Sequence, residues 1–460
     1  MKYKILTLAL VVLLGACSDK LDLKPTDTIE TSRAYQSFDD LEAGLAGAYS
    51  SASGTSAIST SSYQTDMTKM ATGGRNIGVT QYNWNYNALG TGVEFTFGWA
   101  TNYIAINGIN LLLAGVESIV PSEEEMERHK QIKGEAIALR AYLHFELFRN
   151  YAESYTDGGK LVAPYMTESV ISSPERLTVS AFVSQLEADI EEAKSLLAGY
   201  DPATPIYVST SFLQALELKL ALYQEDYTKV IAIADTLLGM YDIADIMEIG
   251  EVFDRAINSE AGVIFKFAIP DNGGRIGAIW QDSNGTVNFE VTQDFINKFS
   301  TDYVDVRQDI NISEYDGLNV VGKYLGTDAA VGASDFFVFR AEEILLSRAE
   351  AYYYSGDEAK ALADLNTLRT ARLESYVAGS ESGANLLQAI KTERAIELAF
   401  EGHRWFDIRR WGDDIIRVDV TAATTPKLLS GGDYRFVMPI PNHELLANTS
   451  MVQNPGYQTN

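Results

Sequence analysis

Apolar and small residues recur at helical spacing through Glu123–Tyr151, at Ile132, Ala136, Leu139, Leu143 and Leu147, behind the start signal Pro121-Ser122. Side chains so spaced share one face of a helix. Val179–Leu197 carries the same pattern. Thr210–Tyr223 and Tyr227–Leu238 predict two helices joined at Gln224–Asp226, and Phe337–Ser355 with Asp357–Leu373 predicts another pair turning at Ser355-Gly356. Between these blocks the period disappears. Ser50–Gly98 is rich in Ser, Thr, Gly and Asn, with Tyr63, Tyr82, Trp84, Tyr86 and Phe95 interspersed. Ile269–Ala333 has the same texture, with Trp280, Phe289, Tyr303 and Tyr315. Both segments are too long to be simple connections, and their aromatic content argues against disorder. Function is expected there.

The two helical pairs share a layout of helix, short polar turn and returning helix. In "AYYYSGDEAKALADLNTLR" the positions of Tyr352, Gly356, Ala361 and Leu365 resemble the roughly 34-residue tetratricopeptide repeat. Pairs that cannot bury both faces alone must stack on neighbours. The expected fold is therefore mostly α, a tetratricopeptide-like scaffold over about 101–240 and 335–412. Irregular regions at about 50–98 and 269–333 and a few short strands complete a single domain spanning 32–460.

Composition adds a compartment and an exclusion. The 460 residues carry a net charge of −27, and such a chain repels nucleic acid, whose binding rests on neutralised phosphates. Two lysines in Met1–Lys4, the apolar run Ile5–Leu14 and "LGAC" at Leu14–Cys17 form a signal peptide over residues 1–16, too short to span a bilayer. The sequence around Cys17 resembles the bacterial lipobox, in which the cysteine is lipidated and becomes the new N-terminus; residues 17–31 would tether lipid to fold. An ordinary secreted protein with a free N-terminal thiol is the alternative. Cys17 is the only cysteine, so the folded part has no thiol for disulfide, metal or nucleophilic chemistry.

The densest charge lies in Thr392–Gly412, "TERAIELAFEGHRWFDIRRWG". On one continuous helix Glu393, Glu397, Glu401, Arg394 and Arg404 share a stripe, with Ile396, Ala399, Phe400 and His403 opposite. A glycosidase would need one of these carboxyls with a raised pKa, whereas adjacent arginines lower it. A structural ion-pair network is the expectation, with Trp405 and Trp411 as scaffold. The four histidines sit at no ligand spacing, and His144 is expected to be a core imidazole. "DSNGT" at Asp282–Thr286 has oxygen-rich composition but no EF-hand pattern, and a plain turn is expected. No metal or cofactor is expected.

The segment "ERAIELAFEGHRWFDIRRWG" closely resembles the C-terminal hallmark of the SusD/RagB family of outer-membrane nutrient-binding lipoproteins. "KGEAIALRAYLHFELFRNYA" (Lys133–Ala152) resembles the family's long early helix. Asp335–Arg372 resembles its most characteristic helical pair, and "MPIPNHELLANTSMVQNPGY" (Met438–Tyr457) its closing segment. The lipobox completes the set, in family order over nearly the whole chain. The resemblance implies a non-catalytic, surface-exposed lipoprotein anchored in the outer membrane. It would capture oligosaccharides and deliver them to a SusC-like TonB-dependent transporter.

Sugar capture needs flat aromatic platforms beside planar hydrogen-bonding groups. In "QYNWNYN" an extended backbone would place Tyr82, Trp84 and Tyr86 on one face. With Trp280 as a second wall and Asp66, Arg75 and Asn76 reading hydroxyls, these residues would form a shallow groove. The alternative is that the aromatics are the segment's own small core. Rival functions are peptide capture on the same fold, a surface glycoside hydrolase, and a helical-repeat adaptor without a small ligand.

Overall fold

The computed structural model describes residues 34–90, 92–271 and 273–458. The expected signal peptide, the expected lipidation site Cys17 and the expected 17–31 tether lie outside the described residues.

Helix α1 (Phe38–Ala52) opens with a capping box, in which Ser37 and Asp40 satisfy each other's backbone N–H groups. The short α2 (Ser56–Tyr63) follows. Helices α3 (Trp99–Ser118), α4 (Met126–Tyr151) and α5 (Val179–Leu196) form the first layer, with α4 at its centre. From Gly134 to Tyr151 every residue of α4 is buried, which a one-sided helical period does not announce. Gly134 permits this crowding, since a Cβ there would sit 2.8 Å from the Leu197 side chain. Polar groups inside are matched. Arg140 donates to Asp189 at 2.9 and 2.7 Å. His144 bonds the Arg140 carbonyl through Nδ1, accepts from the Met166 N–H at 3.0 Å and stacks on Tyr165. His144 is thus the expected core imidazole, and burial pushes its pKa down to about 3.

That depression has a sign. An unfolded histidine takes up its proton near pH 6.5 while folded His144 does not, so the unfolded state gains as pH falls. The His144 contribution should be intact above about pH 6.5 and shrink by up to ~1.4 kcal/mol per unit below it. Urea unfolding at pH 7 and pH 5 checks this: His144→Gln should show a smaller pH loss than wild type, and equal losses would contradict the assignment.

Helices α6 (Thr210–Tyr223) and α7 (Tyr227–Leu237) form one pair, and α8 (Ala341–Tyr354) with α9 (Glu358–Thr370) the other. They stack through α7 and α8. Their turns are built alike. Asp226 caps α7 by accepting from the Lys229 N–H, and Asp357 caps α9 by accepting from the Lys360 N–H. Each cap follows a left-handed residue, Glu225 at φ +59° and Gly356 at φ +83°.

Two helix expectations are corrected. Phe336–Arg340 is a strand, not the start of a helix: it pairs antiparallel with Val263–Phe267, and both strands are wholly buried. The Thr392–Gly412 segment is two helices, α10 (Gly383–Glu397) and α11 (Arg404–Trp411), because Phe400 and Gly402 turn left-handed between them. Its single stripe therefore does not exist, and Arg404 faces elsewhere.

Short strands β1 (Thr68–Met70) and β2 (Phe289–Val291) pair antiparallel, Thr68 opposite Val291. The hairpin β3 (Ile312–Tyr315) and β4 (Leu318–Val321) packs its second strand against β2. No helix among the described residues is long and apolar enough to cross a membrane.

Candidate functional site

The charge-dense segment is a buried lattice. Glu397 takes Arg372 at 2.9 Å, Arg340 at 3.3 Å and Arg307 at 3.4 Å. Glu401 takes Arg340 at 2.8 Å and Lys323 at 2.6 Å. Glu393 takes Arg307 and Arg369, each at 2.8 Å, and Arg394 holds Asp407. Burial alone would raise these carboxyls, but Arg372 and Arg340 pull Glu397 well below the usual range, and their neighbours likewise lower Glu393, Glu401 and Asp407. Burial and the surrounding cations hold His403 neutral. A general acid needs the opposite shift. This region is scaffold.

The two irregular segments do meet. Beyond the β1–β2 pairing, Tyr63 stacks on Phe289 at 4.3 Å and donates its hydroxyl to the Ile279 carbonyl. The Arg75 N–H donates to the Asn288 side chain at 2.9 Å. What holds the junction is the very set of aromatics expected to bind. Val79–Tyr82 forms one helical turn and Trp84 is left-handed at φ +50°, so the extended alternation is absent and the rings turn inward. Trp84 is 2% exposed and donates Nε1–H to the Gln64 carbonyl. Tyr82 is buried against Phe289, and Tyr86 is buried against Phe97 with its hydroxyl on the Arg435 carbonyl. Trp280, also 2% exposed, stacks on Tyr324 at 5.4 Å. Asp66 is buried in a two-bond pair with Arg404 at 2.9 Å and a third contact to Lys298. Trp84, Tyr82, Tyr86, Trp280 and Asp66 therefore present no surface to a sugar, and the groove they were expected to line is corrected to a core.

At its centre lies Arg417, which sequence reasoning missed. Its guanidinium donates to the carbonyls of Thr65, Tyr82 and Tyr63 at 2.9, 2.6 and 3.1 Å. It also lies over the rings of Tyr82 and Trp84, at 4.4 and 4.0 Å. Burial pushes its pKa down to about 10, so it stays charged at neutral pH and acts as a cationic pin between segments.

The outer face of the junction is different. Arg75 and Asn76 are exposed, as a reading head requires, and Arg75 pairs with Asp282 at 2.5 Å. Asp282–Thr286 is the expected closed turn: Asp282 Oδ1 accepts from the N–H groups of Asn284 and Thr286. Tyr315 stands over the same turn, since a Cβ on Gly285 would collide with its hydroxyl. Tyr315 is 44% exposed, and with Phe95 at 55% it keeps an open ring among the aromatics of the two segments. The sequence signal for Tyr315 is the Asp316-Gly317 pair beside it, both at positive φ, which marks a tight hairpin tip. Arg75 and Tyr315 thus meet at one turn with charge and aromatic face, and Asn76 is the exposed residue that follows Arg75 in the chain. Among the described residues no group of three or more His, Cys, Asp or Glu side chains could hold a metal ion.

Comparison with known proteins agrees along the chain. Residues 277–457 match the family model described as the SusD family, and residues 19–210 match one described as starch-binding associating with outer membrane. SusD-like protein P2 of Formosa agariphila is 24% identical over 99% of this chain and its own whole length. A solved structure of a putative sugar binding protein from Bacteroides vulgatus is 25% identical, with a TM-score of 0.78 over 92% of this chain and 100% of that one. A SusD superfamily protein from Bacteroides vulgatus superposes with a TM-score of 0.80 at 23% identity, over 92% and 100% of the two chains.

Proposed function

We propose, from the premise that the chain belongs to the SusD family, that it captures oligosaccharides at the outer face of the junction between its two irregular segments. It then passes them to a SusC-like TonB-dependent transporter in the outer membrane, to which Cys17 would tether it by lipid. The observation that carries this reading is the Asp282–Thr286 turn held between Arg75 and Tyr315, with the exposed Asn76 next to Arg75 in the chain. A pyranose offers apolar C–H faces to a tyrosine ring and hydroxyls to guanidinium and amide groups. The protein acts as a binder rather than a hydrolase: the carboxylates of Glu393, Glu397 and Glu401, the ones a glycosidase reading would use, are buried, paired and lowered.

Calorimetric titration of a responding oligosaccharide tests the site. Tyr315→Ala and Arg75→Ala should each weaken binding about tenfold, or ~1.4 kcal/mol, without a change in melting temperature. Wild-type affinity in both would remove the junction face from the account. Recovery of a large outer-membrane barrel on native-detergent pull-down from the host would support the transporter partnership, and recovery of the lipoprotein alone would count against it.

A further inference from the structure

A cleft of about 630 Å³ opens between the α6–α7 turn, the last turn of α8, the end of α11 and the C-terminal segment. No residue lining it belongs to either irregular segment. Its size is that of a small-ligand pocket, and its walls are aromatic. Tyr354, 41% exposed, stacks on Tyr227 at 5.0 Å with the rings 13° apart, so Tyr227 backs one face of the Tyr354 ring. Tyr434, 44% exposed, is pressed against Gly456, where any Cβ would collide with the ring. Trp411 is fixed by its Nε1–H bond to Glu350 at 3.0 Å, with the Arg410 and Lys391 cations over its ring.

The polar groups in the cleft sharpen the picture. Glu225 and Lys160 line it and make no ion pair among the described residues. Glu225 also occupies the left-handed position that glycine fills, as Gly356, in the otherwise matching turn of the second pair. Glycine holds that conformation without strain, whereas glutamate does not. The strained choice keeps a carboxylate at the cleft wall.

We propose that this cleft is a second carbohydrate site. A neutral pyranose segment stacks on Tyr354 and Tyr434, and Glu225 and Lys160 hydrogen-bond its hydroxyls. One carboxylate and one ammonium without ion-pair partners among the described residues suit a neutral, hydroxyl-rich ligand better than a charged one. The proposal rests on the carbohydrate reading above but not on the junction as its location.

Calorimetry on the mature chain with maltoheptaose, cellohexaose and xylohexaose tests it. Wild type should bind the responding glycan at two sites. Tyr354→Ala/Tyr434→Ala and, separately, Glu225→Gly should each weaken one of them by about tenfold. Glu225→Gly guards against misfolding, because it relieves backbone strain and should melt no lower than wild type. Wild-type titrations by both cleft variants would overturn the proposal. Weakened cleft variants alongside an unaffected Arg75→Ala/Tyr315→Ala variant would uphold the cleft and remove the junction instead. Failure of wild type to bind any of the three glycans would overturn both.

Discussion

Glu397→Ala is expected to destabilise the fold by roughly 3–5 kcal/mol, the range for breaking a buried ion pair from one side. The carboxylate serves Arg372, Arg340 and Arg307, which come from the end of α9, the strand before α8 and the irregular second segment. Removing it leaves three guanidinium groups facing one another in a site where Arg372 is wholly buried. Glu401 still holds Arg340, so the lattice loosens rather than vanishes. The pH dependence follows from the lowered Glu397 carboxyl. Its contribution is fully present above the unfolded value near pH 4.3 and is lost as pH falls below it. Chemical denaturation measures the effect; a loss under about 1 kcal/mol, the range of exposed pairs, would contradict the burial of the lattice.

The second large effect is at Arg417. Arg417→Ala deprives three buried carbonyls of their donor, each costing about 1–3 kcal/mol, and removes the cation from two rings. A loss of roughly 3–5 kcal/mol is expected, and Trp84→Ala should cost a similar ~3–5 kcal/mol by leaving a cavity. The two side chains are in contact, so the double variant should lose less than the sum. Both variants should also weaken glycan binding, although neither residue reaches the outer face, because the turn beneath Tyr315 is hung on this junction. Melting curves check the stability, and a Trp84→Ala protein that melts like wild type while losing affinity would return Trp84 to the ligand surface.

The helical part of this architecture was largely legible. Helices α5, α6 and α7 lie within a residue of their expected ends, because an apolar face with a capping Thr178, Ser209 or Asp226 is a local signal. The strand Phe336–Arg340 was not, because a run buried on both faces carries no alternation, and its partner Val263–Phe267 lies far upstream. The break at Phe400 was hidden for another reason: a left-handed phenylalanine is set by packing, with only Gly402 as a local hint. The candidate site was less legible. The expected groove required the two irregular segments to meet, and they do, but nothing in their shared texture dictates that contact. Nor did the sequence tell which aromatics would face solvent, since a sugar platform and a loop core ask for the same residue types. Arg417 gave no signal at all, because its acceptors are backbone carbonyls that exist as a set only once the chain has folded.

The measurement that bears most directly on the central claim is a glycan array probed with the mature chain beside a peptide library, with bound glycans recovered and sized. The account predicts selective retention of oligosaccharides, returned at their original length, and no comparable retention of peptides. Retention of peptides alone, or glycans returned shortened, would contradict it.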